Sequence, residues 1–238
     1  MLKALLTDID GTITDSSRRI HTGAIHEIRS LVDSGIDVVL ASGNTACFMD
    51  ALSKMIGTRG TFIAENGGVF RAGYTGTLHI HGDQQVCRTA LESLQAHYRT
   101  QGIELDLYSP TYRYADLAFA RTVPVDEVKT LLIDHAVQVL DTGYAIHLQA
   151  PGVNKGTALV ALAQEMGLSP SDFLAIGDSL NDIQMLTTAG IGATVANGHK
   201  DIRAAAQYVA EKEYGEGFME VIKRYEPYLR AAKRSTTI

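Results

Sequence analysis

Three absences from the 238-residue sequence limit the kinds of protein that it can encode. Cysteine occurs only at Cys47 and Cys87, neither in a Cys-x-x-Cys pair nor beside a histidine, so we expect two separate reduced thiols and no zinc site. No apolar run reaches the roughly 18 residues of a membrane span, and the N-terminus has the pattern of a strand rather than of a signal peptide. The sequence therefore predicts a cytoplasmic protein without a membrane partner.

The sequence also lacks a basic segment, apart from the pair Lys233-Arg234, which we expect to be a solvated chain end. With a net charge of −6, nucleic acid is not an expected partner. Hydrophobic residues make up 45% and charged residues 20% of the chain, which is typical of globular proteins. The length suffices for one large domain or two small ones, and a monomer and a homodimer both remain open.

Strand-like and helix-like segments alternate in both halves of the chain. In the first half, an apolar strand within 2–12 is followed by a helix over 22–34, a strand over 36–41 and a helix over 45–56. In the second half, a helix over 157–166 is followed by a strand over 173–176, a helix over 183–189 and a strand over 191–195. The segment Gly215-Glu216-Gly217 then precedes a last helix over 218–229. This alternation is typical of an α/β fold with a parallel sheet.

Between the two halves the pattern changes. Four short strand-like pieces alternate with two helices, and tyrosine becomes frequent. We interpret this segment as a separate α+β unit inserted into the first domain. The predicted organisation is a core domain formed by residues 1–80 plus 152–238, with an inserted domain over residues 81–151.

Polar side chains lie where several of these elements begin or end. Asp8 and Asp10 lie at the end of the first strand, Ser42 at the end of the second, and Asp178 and Asp182 after the strand over 173–176, while Lys155 lies just before the helix over 157–166. Because the carboxyl ends of parallel strands share one edge of a sheet, we expect these groups to meet in space. Taken singly, each has an ordinary explanation as a helix cap, a helix-terminal charge or a solvated turn. Their shared placement favours a site.

The charges of these groups indicate a phosphoryl-transfer site. Converging carboxylates repel one another, and Mg²⁺, which prefers oxygen ligands, would relieve that repulsion. Ser42, with Gly43 and the helix start behind it, supplies anion donors, and Lys155 supplies a positive charge. Asp8, nearer the strand, is the candidate nucleophile that would form an aspartyl-phosphate. Asp10, where the chain turns, is the candidate acid and base.

The residues of these segments resemble the haloacid dehalogenase superfamily of phosphohydrolases. Its four motifs correspond in order to Asp8-Ile9-Asp10-Gly11-Thr12, Ser42-Gly43, Lys155, and Gly177-Asp178-Ser179-Leu180-Asn181-Asp182. The segment Glu65-Asn66-Gly67-Gly68 and the position of the insert resemble the Cof-type branch with a C2 cap. The resemblance implies a Rossmann-like, doubly wound parallel core with an inserted α+β cap. It also implies a Mg²⁺ cofactor held by Asp8, Asp10 (through its backbone carbonyl), Asp178 and Asp182, and phosphatase rather than dehalogenase chemistry.

One departure separates this sequence from many Cof-type members, which have Gly-Arg where it has Gly43-Asn44. The Ser-Gly-Asn form, the small size and the segment Tyr214-Gly215-Glu216-Gly217 resemble the archaeal-type phosphoglycolate phosphatases. The resemblance implies a small phosphorylated metabolite as substrate, with 2-phosphoglycolate as the expected one. Asn44 and Asn181 are candidate supporting residues of the site.

Three alternatives to this prediction were considered. A sugar-phosphate phosphatase or a phosphomutase of the same superfamily would carry similar motifs. A receiver-like phospho-signalling module also uses acidic residues, a hydroxyl and a lysine, but it is about half as long and has no insert. A P-loop nucleotidase is disfavoured because its Gly-rich motif does not occur. Within the cap, Tyr112, Arg113, Tyr114 and His147 are candidate substrate contacts, each equally explained as an ordinary surface or core residue.

Overall fold

The computed structural model of the chain describes residues 1–229. The basic pair Lys233-Arg234 and the last residues of the predicted core domain lie outside the described residues. Within the described part, no helix combines the length and the apolar composition needed to cross a membrane.

The described residues form eleven strands and eight α-helices. The strands are β1 (Ala4–Asp8), β2 (Asp37–Ala41), β3 (Phe62–Ala64), β4 (Val69–Arg71), β5 (His79–Ile80), β6 (Leu117–Ala120), β7 (Gln138–Asp141), β8 (Ala145–Gln149), β9 (Phe173–Gly177), β10 (Ile191–Thr194) and β11 (Tyr208–Val209). The helices are α1 (Thr22–Asp33), α2 (Ala46–Ile56), α3 (Gln84–Arg99), α4 (Val125–Leu131), α5 (Lys155–Glu165), α6 (Ile183–Thr188), α7 (Lys200–Ala205) and α8 (Tyr214–Tyr225).

The main sheet has eight strands in the order β11-β10-β9-β1-β2-β3-β4-β5. The strands from β11 to β3 run parallel, whereas β4 and β5 are antiparallel additions after the chain reverses at a short 3₁₀ turn, Glu65–Gly67. In this register Asp8 lies opposite Ala41, and Thr7 lies opposite Ile176. The carboxyl ends of β1, β2 and β9 therefore lie side by side, which brings the polar residues that follow them to one edge.

Helices cover both faces of the main sheet. Alternate strand residues point to opposite faces, so Leu5 and Leu40 pack with α1, α2 and α8, whereas Leu6 and Val39 pack with α5, α6 and α7. Both apolar clusters are buried, as expected for a sheet whose strands are apolar on both sides. The predicted α/β, doubly wound parallel core is confirmed.

A second, antiparallel sheet with the order β6-β8-β7 forms the inserted α+β unit. Its strands pack against α3 and α4 around a separate apolar cluster that includes Cys87, Leu94, Phe119 and Ile146. Burial raises the pKa of Cys87 to about 12, so this thiol is an inert core side chain.

The predicted start of the last helix was wrong. The helix begins at Tyr214 rather than at Phe218, so Gly215 and Gly217 lie inside it instead of preceding it. A Cβ atom on Gly215 would lie 2.3 Å from Cβ of His21. Glycine is present there because α8 packs closely against the residue that precedes α1, and glycine therefore does not mark a helix boundary at this point.

Candidate active site

Lys155 is the first residue of α5 and is completely buried. Asn154 caps the helix by accepting a hydrogen bond from the backbone N–H of Thr157, which fixes where the helix begins. The Nζ atom of Lys155 donates to Oδ1 of Asp8 at 2.6 Å and to Oδ1 of Asp182 at 2.5 Å. Burial opposes the positive charge, but the two carboxylates hold the pKa of Lys155 above its ordinary value. Lys155 is therefore a charged ammonium group, and its contacts with residues 1–229 leave one of its three N–H donors for a ligand.

Asp182 supports the loop that carries Asp178. Its Oδ2 atom accepts hydrogen bonds from the backbone N–H groups of Asp178 and Ser179, both at 3.1 Å. Its other oxygen binds Lys155, so both oxygens of this buried carboxylate have donors. Asp182 therefore links the end of β9 to the start of α5.

Gly11 allows the loop after β1 to approach Asp178. Its φ angle is +90°, and a Cβ atom there would lie 2.2 Å from Oδ2 of Asp178. Only glycine combines that backbone conformation with so close a contact. The neighbouring hydroxyl of Thr12 donates to Oδ1 of Asp178 at 3.3 Å, so the first and fourth sequence motifs meet directly.

Three of the predicted carboxylates form one cluster. Oxygen atoms of Asp8, Asp178 and Asp182 lie within 4.8 Å of one another. Burial, together with the charge of Asp182, raises the pKa of Asp8 well above its ordinary value and that of Asp178 to about 7. Buried oxygen ligands with an excess of negative charge are what a hard divalent cation requires, so the residues present fit a divalent metal.

Asp10 lies beside this cluster rather than in it. Its Oδ1 atom lies 3.3 Å from Nη2 of Arg18, and its Oδ2 atom accepts a hydrogen bond from Nδ2 of Asn44 at 3.4 Å. The same Asn44 amide donates to Oγ of Ser42 at 2.9 Å, and the backbone N–H of Asn44 reaches that oxygen at 3.1 Å. Asn44 thus orients both the candidate acid and the candidate phosphate-binding hydroxyl.

Asn66 was not predicted as a site residue, yet it connects two of the motifs. Its backbone N–H donates to the carbonyl of Ser42 at 3.1 Å, and its side-chain oxygen accepts from Nδ2 of Asn181 at 2.9 Å. The side-chain amide would lie 3.0 Å from a Cβ atom on Gly43. An Asn-Gly pair is typical of a turn, but nothing in the pair itself indicates that the turn supports the phosphate loop.

Glu65, the residue before Asn66, joins the core to the inserted unit. Its carboxylate accepts hydrogen bonds from the backbone N–H groups of Tyr114, Ala115 and Asp116 at 3.0, 2.8 and 3.2 Å. Burial, followed by the nearby charge of Asp116, raises the pKa of Glu65 to about 7 despite these donors. Neither this contact nor the Arg18 contact with Asp10 follows from a pattern in the sequence, since both depend on loop conformation.

A cavity of about 190 Å³ lies at the junction of the two units. On the core side, Asp8, Asp10 and Ser42 line it, and on the side of the insert Tyr108, Arg113, Tyr144 and His147 line it. Pockets for drug-sized ligands measure roughly 300–1,000 Å³, so this one suits a molecule of only a few heavy atoms.

Comparison with known proteins agrees with this architecture. The family model described as haloacid dehalogenase-like hydrolase matches residues 5–116 and 122–222. A curated protein of Methanoculleus marisnigri named phosphoglycolate phosphatase is 60% identical over 96% of this chain and 99% of its own length. A protein of the same name from Methanospirillum hungatei is 47% identical over 97% of this chain and its full length.

Among solved structures, a Thermoplasma acidophilum protein superposes with a TM-score of 0.84 at 29% identity, covering 95% of this chain and 99% of that one. A haloacid dehalogenase-like hydrolase from Bacteroides thetaiotaomicron has the same fold, with a TM-score of 0.79 at 21% identity, covering 94% of this chain and 99% of that one. The fold and the family match together define a hydrolase with an α/β core and an inserted cap. The chain belongs to the haloacid dehalogenase-like hydrolase family, as the four motifs predicted.

Proposed function

We propose that this protein is a Mg²⁺-dependent phosphatase that hydrolyses 2-phosphoglycolate to glycolate and phosphate. The observation that carries the proposal is the contact between Asp8, which lines the cavity together with Ser42 and Asp10, and the buried ammonium group of Lys155 behind it, 2.6 Å away. This arrangement places a carboxylate nucleophile beside groups that neutralise a phosphoryl anion. The names of the two methanogen relatives support phosphoglycolate as the substrate.

Asp8, Asp10 and Lys155 divide the proposed chemistry. A carboxylate oxygen of Asp8 attacks phosphorus, and the bond between phosphorus and the ester oxygen breaks to leave an aspartyl-phosphate. Asp10 gives a proton to the departing oxygen and then removes one from the water that hydrolyses the aspartyl-phosphate. Lys155, the hydroxyl of Ser42 and the backbone of Gly43 bind the phosphoryl oxygens throughout, with Asn44 and Asn181 as supporting residues.

The proposed cation is Mg²⁺. Asp8, Asp10, Asp178 and Asp182 would hold it, with Asp10 acting through its backbone carbonyl. Because both oxygens of Asp182 already accept hydrogen bonds, we infer that Asp182 serves the metal chiefly by holding Lys155 and the backbone of Asp178 in place. When bound, the cation supplies Lewis-acid neutralisation of the phosphoryl charge.

We further propose that the predicted boundaries describe two functional units: a catalytic core over residues 1–80 plus 152–238 and a cap over residues 81–151. The pairing of β5 with β4 supports the first boundary, because β5 still belongs to the main sheet. The cap contributes one wall of the cavity, so it would select the substrate and exclude bulk water during turnover. Three expectations stay predictions: a cytoplasmic location, no nucleic-acid partner, and a monomeric or homodimeric state.

Family membership argues against the receiver-like alternative, because that module lacks the second sheet present here. The small cavity favours phosphoglycolate over a bulky sugar phosphate.

The test is a steady-state comparison of 2-phosphoglycolate with a panel of sugar phosphates, with Mg²⁺ present. We expect kcat/KM to be highest for phosphoglycolate and Asp8→Asn to abolish turnover of every substrate while the protein stays folded. A clear preference for a hexose phosphate would overturn the substrate assignment. Normal activity of Asp8→Asn would overturn the nucleophile.

A further inference from the structure

Two side chains of the cap present free hydrogen-bonding atoms to the cavity and have no part in the proposed chemistry. Arg113, in the loop before β6, and His147, in β8, are 7% and 4% exposed and line the cavity. Neither sits there as an isolated charge, since the buried carboxylate of Asp116 lies between them. This arrangement is a built site rather than a surface patch.

Asp116 orients both groups. Its Oδ1 atom accepts a hydrogen bond from Nη1 of Arg113 at 2.6 Å, and its Oδ2 atom lies 2.8 Å from Nδ1 of His147. Burial raises the pKa of Asp116, but the hydrogen bond from His147 and the charge of Arg113 outweigh it and keep the pKa below its ordinary value. Nδ2 of Asn66 lies 3.2 Å from the same Nδ1 atom, so the partners of His147 among residues 1–229 meet Nδ1, and Nε2 is the atom left for a ligand.

The remaining contacts of Arg113 fix the direction of its guanidinium. Its Nε atom donates to the carbonyl of Tyr108 at 2.9 Å, and Nη1 also reaches the carbonyl of Gly43 at 3.2 Å. Among residues 1–229, no acceptor binds Nη2 of Arg113 or Nε2 of His147. The contact with Gly43 places the guanidinium directly beside the proposed phosphate-binding loop.

We propose that Arg113 and His147 form the subsite for the substrate's carboxylate, which makes them specificity-determining residues for short phosphorylated acids. This inference rests on the proposed phosphatase function. A guanidinium binds a carboxylate more strongly than it binds a neutral hydroxyl, and His147 lines the same cavity beside it. The small cavity keeps the carboxylate and the phosphoryl group of one molecule only a few bonds apart. Asp116 acts as the positioning residue for both.

The experiment compares two phosphate esters that differ only where the carboxylate stands: 2-phosphoglycolate and ethyl phosphate. Arg113→Lys keeps a positive charge beside Asp116 but removes the planar guanidinium, which can bind a carboxylate through two N–H donors. His147→Gln removes the imidazole without introducing a charge. Arg121→Lys is the matched control, because Arg121 pairs with Asp141 in the same unit and does not line the cavity. Melting temperatures of all variants show that each is folded.

We expect kcat/KM for phosphoglycolate to fall about 10- to 100-fold in Arg113→Lys and His147→Gln, mainly through KM, because a hydrogen bond to a charged group is lost. Activity toward ethyl phosphate should change by less than about 3-fold, as should both activities of the control. An equal loss for the two esters in both variants would show a merely structural role and would overturn the inference.

Binding provides a readout that does not depend on turnover. In the Asp8→Asn background, calorimetry with phosphoglycolate should show the same 10- to 100-fold weakening on adding Arg113→Lys, with no change for ethyl phosphate. If wild type hydrolyses neither ester, the proposed function fails. Calorimetry still tests the subsite in that case. If Arg113→Lys leaves the ratio of the affinities for phosphoglycolate and ethyl phosphate unchanged, the subsite assignment is overturned.

Discussion

Replacing Lys155 by methionine removes the positive charge between Asp8 and Asp182 while nearly preserving the length of the side chain. Lys155 and Asp182 are fully buried, Asp8 is 9% exposed, and Nζ lies 2.6 and 2.5 Å from the two carboxylates. Removing one partner of such an ion pair leaves an uncompensated buried charge, which costs about 3–5 kcal/mol of unfolding free energy. Each kcal/mol shifts the melting temperature of a chain of this size by about 2–4 °C, so we expect a decrease of about 6–20 °C.

Lys3→Met is the matched control for this measurement. Lys3 also makes an ion pair, with Asp172 at 3.0 Å, but its side chain is 41% exposed. Exposed pairs contribute about 0–1 kcal/mol, so the control should melt within about 4 °C of wild type. The assay is thermal unfolding followed by circular dichroism at neutral pH in EDTA. Equal shifts for Lys155→Met and Lys3→Met would refute the reasoning.

Adding Mg²⁺ extends the same test. The cation brings positive charge to the carboxylates that Lys155 otherwise neutralises, and a ligand that binds only the folded state raises stability by mass action. Millimolar Mg²⁺ should therefore raise the melting temperature of Lys155→Met more than that of wild type. The increase for Lys3→Met should equal the increase for wild type. A stabilisation that is the same in all three proteins would show that Lys155 and the metal do not share a site.

Three further outcomes are expected. The raised pKa of Glu65 means that its stabilising contribution is complete below pH 4.5 and is lost as the pH rises through about 7. In urea titrations, the difference in unfolding free energy between wild type and Glu65→Gln should decrease by about 3 kcal/mol between pH 4.5 and about 7. A difference that does not change with pH would contradict the raised pKa of Glu65. Gly11→Ala should lose turnover because its Cβ would lie 2.2 Å from Asp178, whereas Gly102→Ala, with φ +73° and nothing within 4 Å, should lose only about 1–3 kcal/mol of stability. EDTA should stop hydrolysis and Mg²⁺ restore it; activity in a metal-free preparation would rule out the metal.

The polar groups at the strand ends could be predicted because sheet topology alone brings them together. Asp8 ends one buried strand, and Ser42 and Asp178 directly follow two others; these three neighbouring parallel strands end at one edge whatever conformation the loops adopt. The start of α5 was predicted two residues late, since the capping hydrogen bond from Thr157 to Asn154 adds Lys155 and Gly156 to the helix. The core layers follow from alternation in the strands in the same way.

The supporting contacts could not be predicted, because they depend on how loops fold rather than on periodicity. Glu65 and Asn66 both have positive φ angles, which few non-glycine residues adopt and which the sequence does not indicate. Arg18, also at positive φ, forms an ion pair with Asp10. Its guanidinium carbon also lies 4.2 Å from the centre of the Tyr144 ring, although the two residues are over 120 positions apart in the sequence. The glycines of α8 were placed before the helix rather than inside it because close packing, unlike a turn, leaves no pattern in the sequence.

The carboxylate of Glu65 has a consequence for how this enzyme architecture can diverge. It binds the main chain of residues 114–116 and none of their side chains. A mutation at Tyr114 or Ala115 therefore leaves every one of these hydrogen bonds available, provided that the backbone keeps its course. If the inserted unit selects the substrate, as proposed, that preference can evolve by side-chain replacement in the insert while its joint with the core is inherited unchanged.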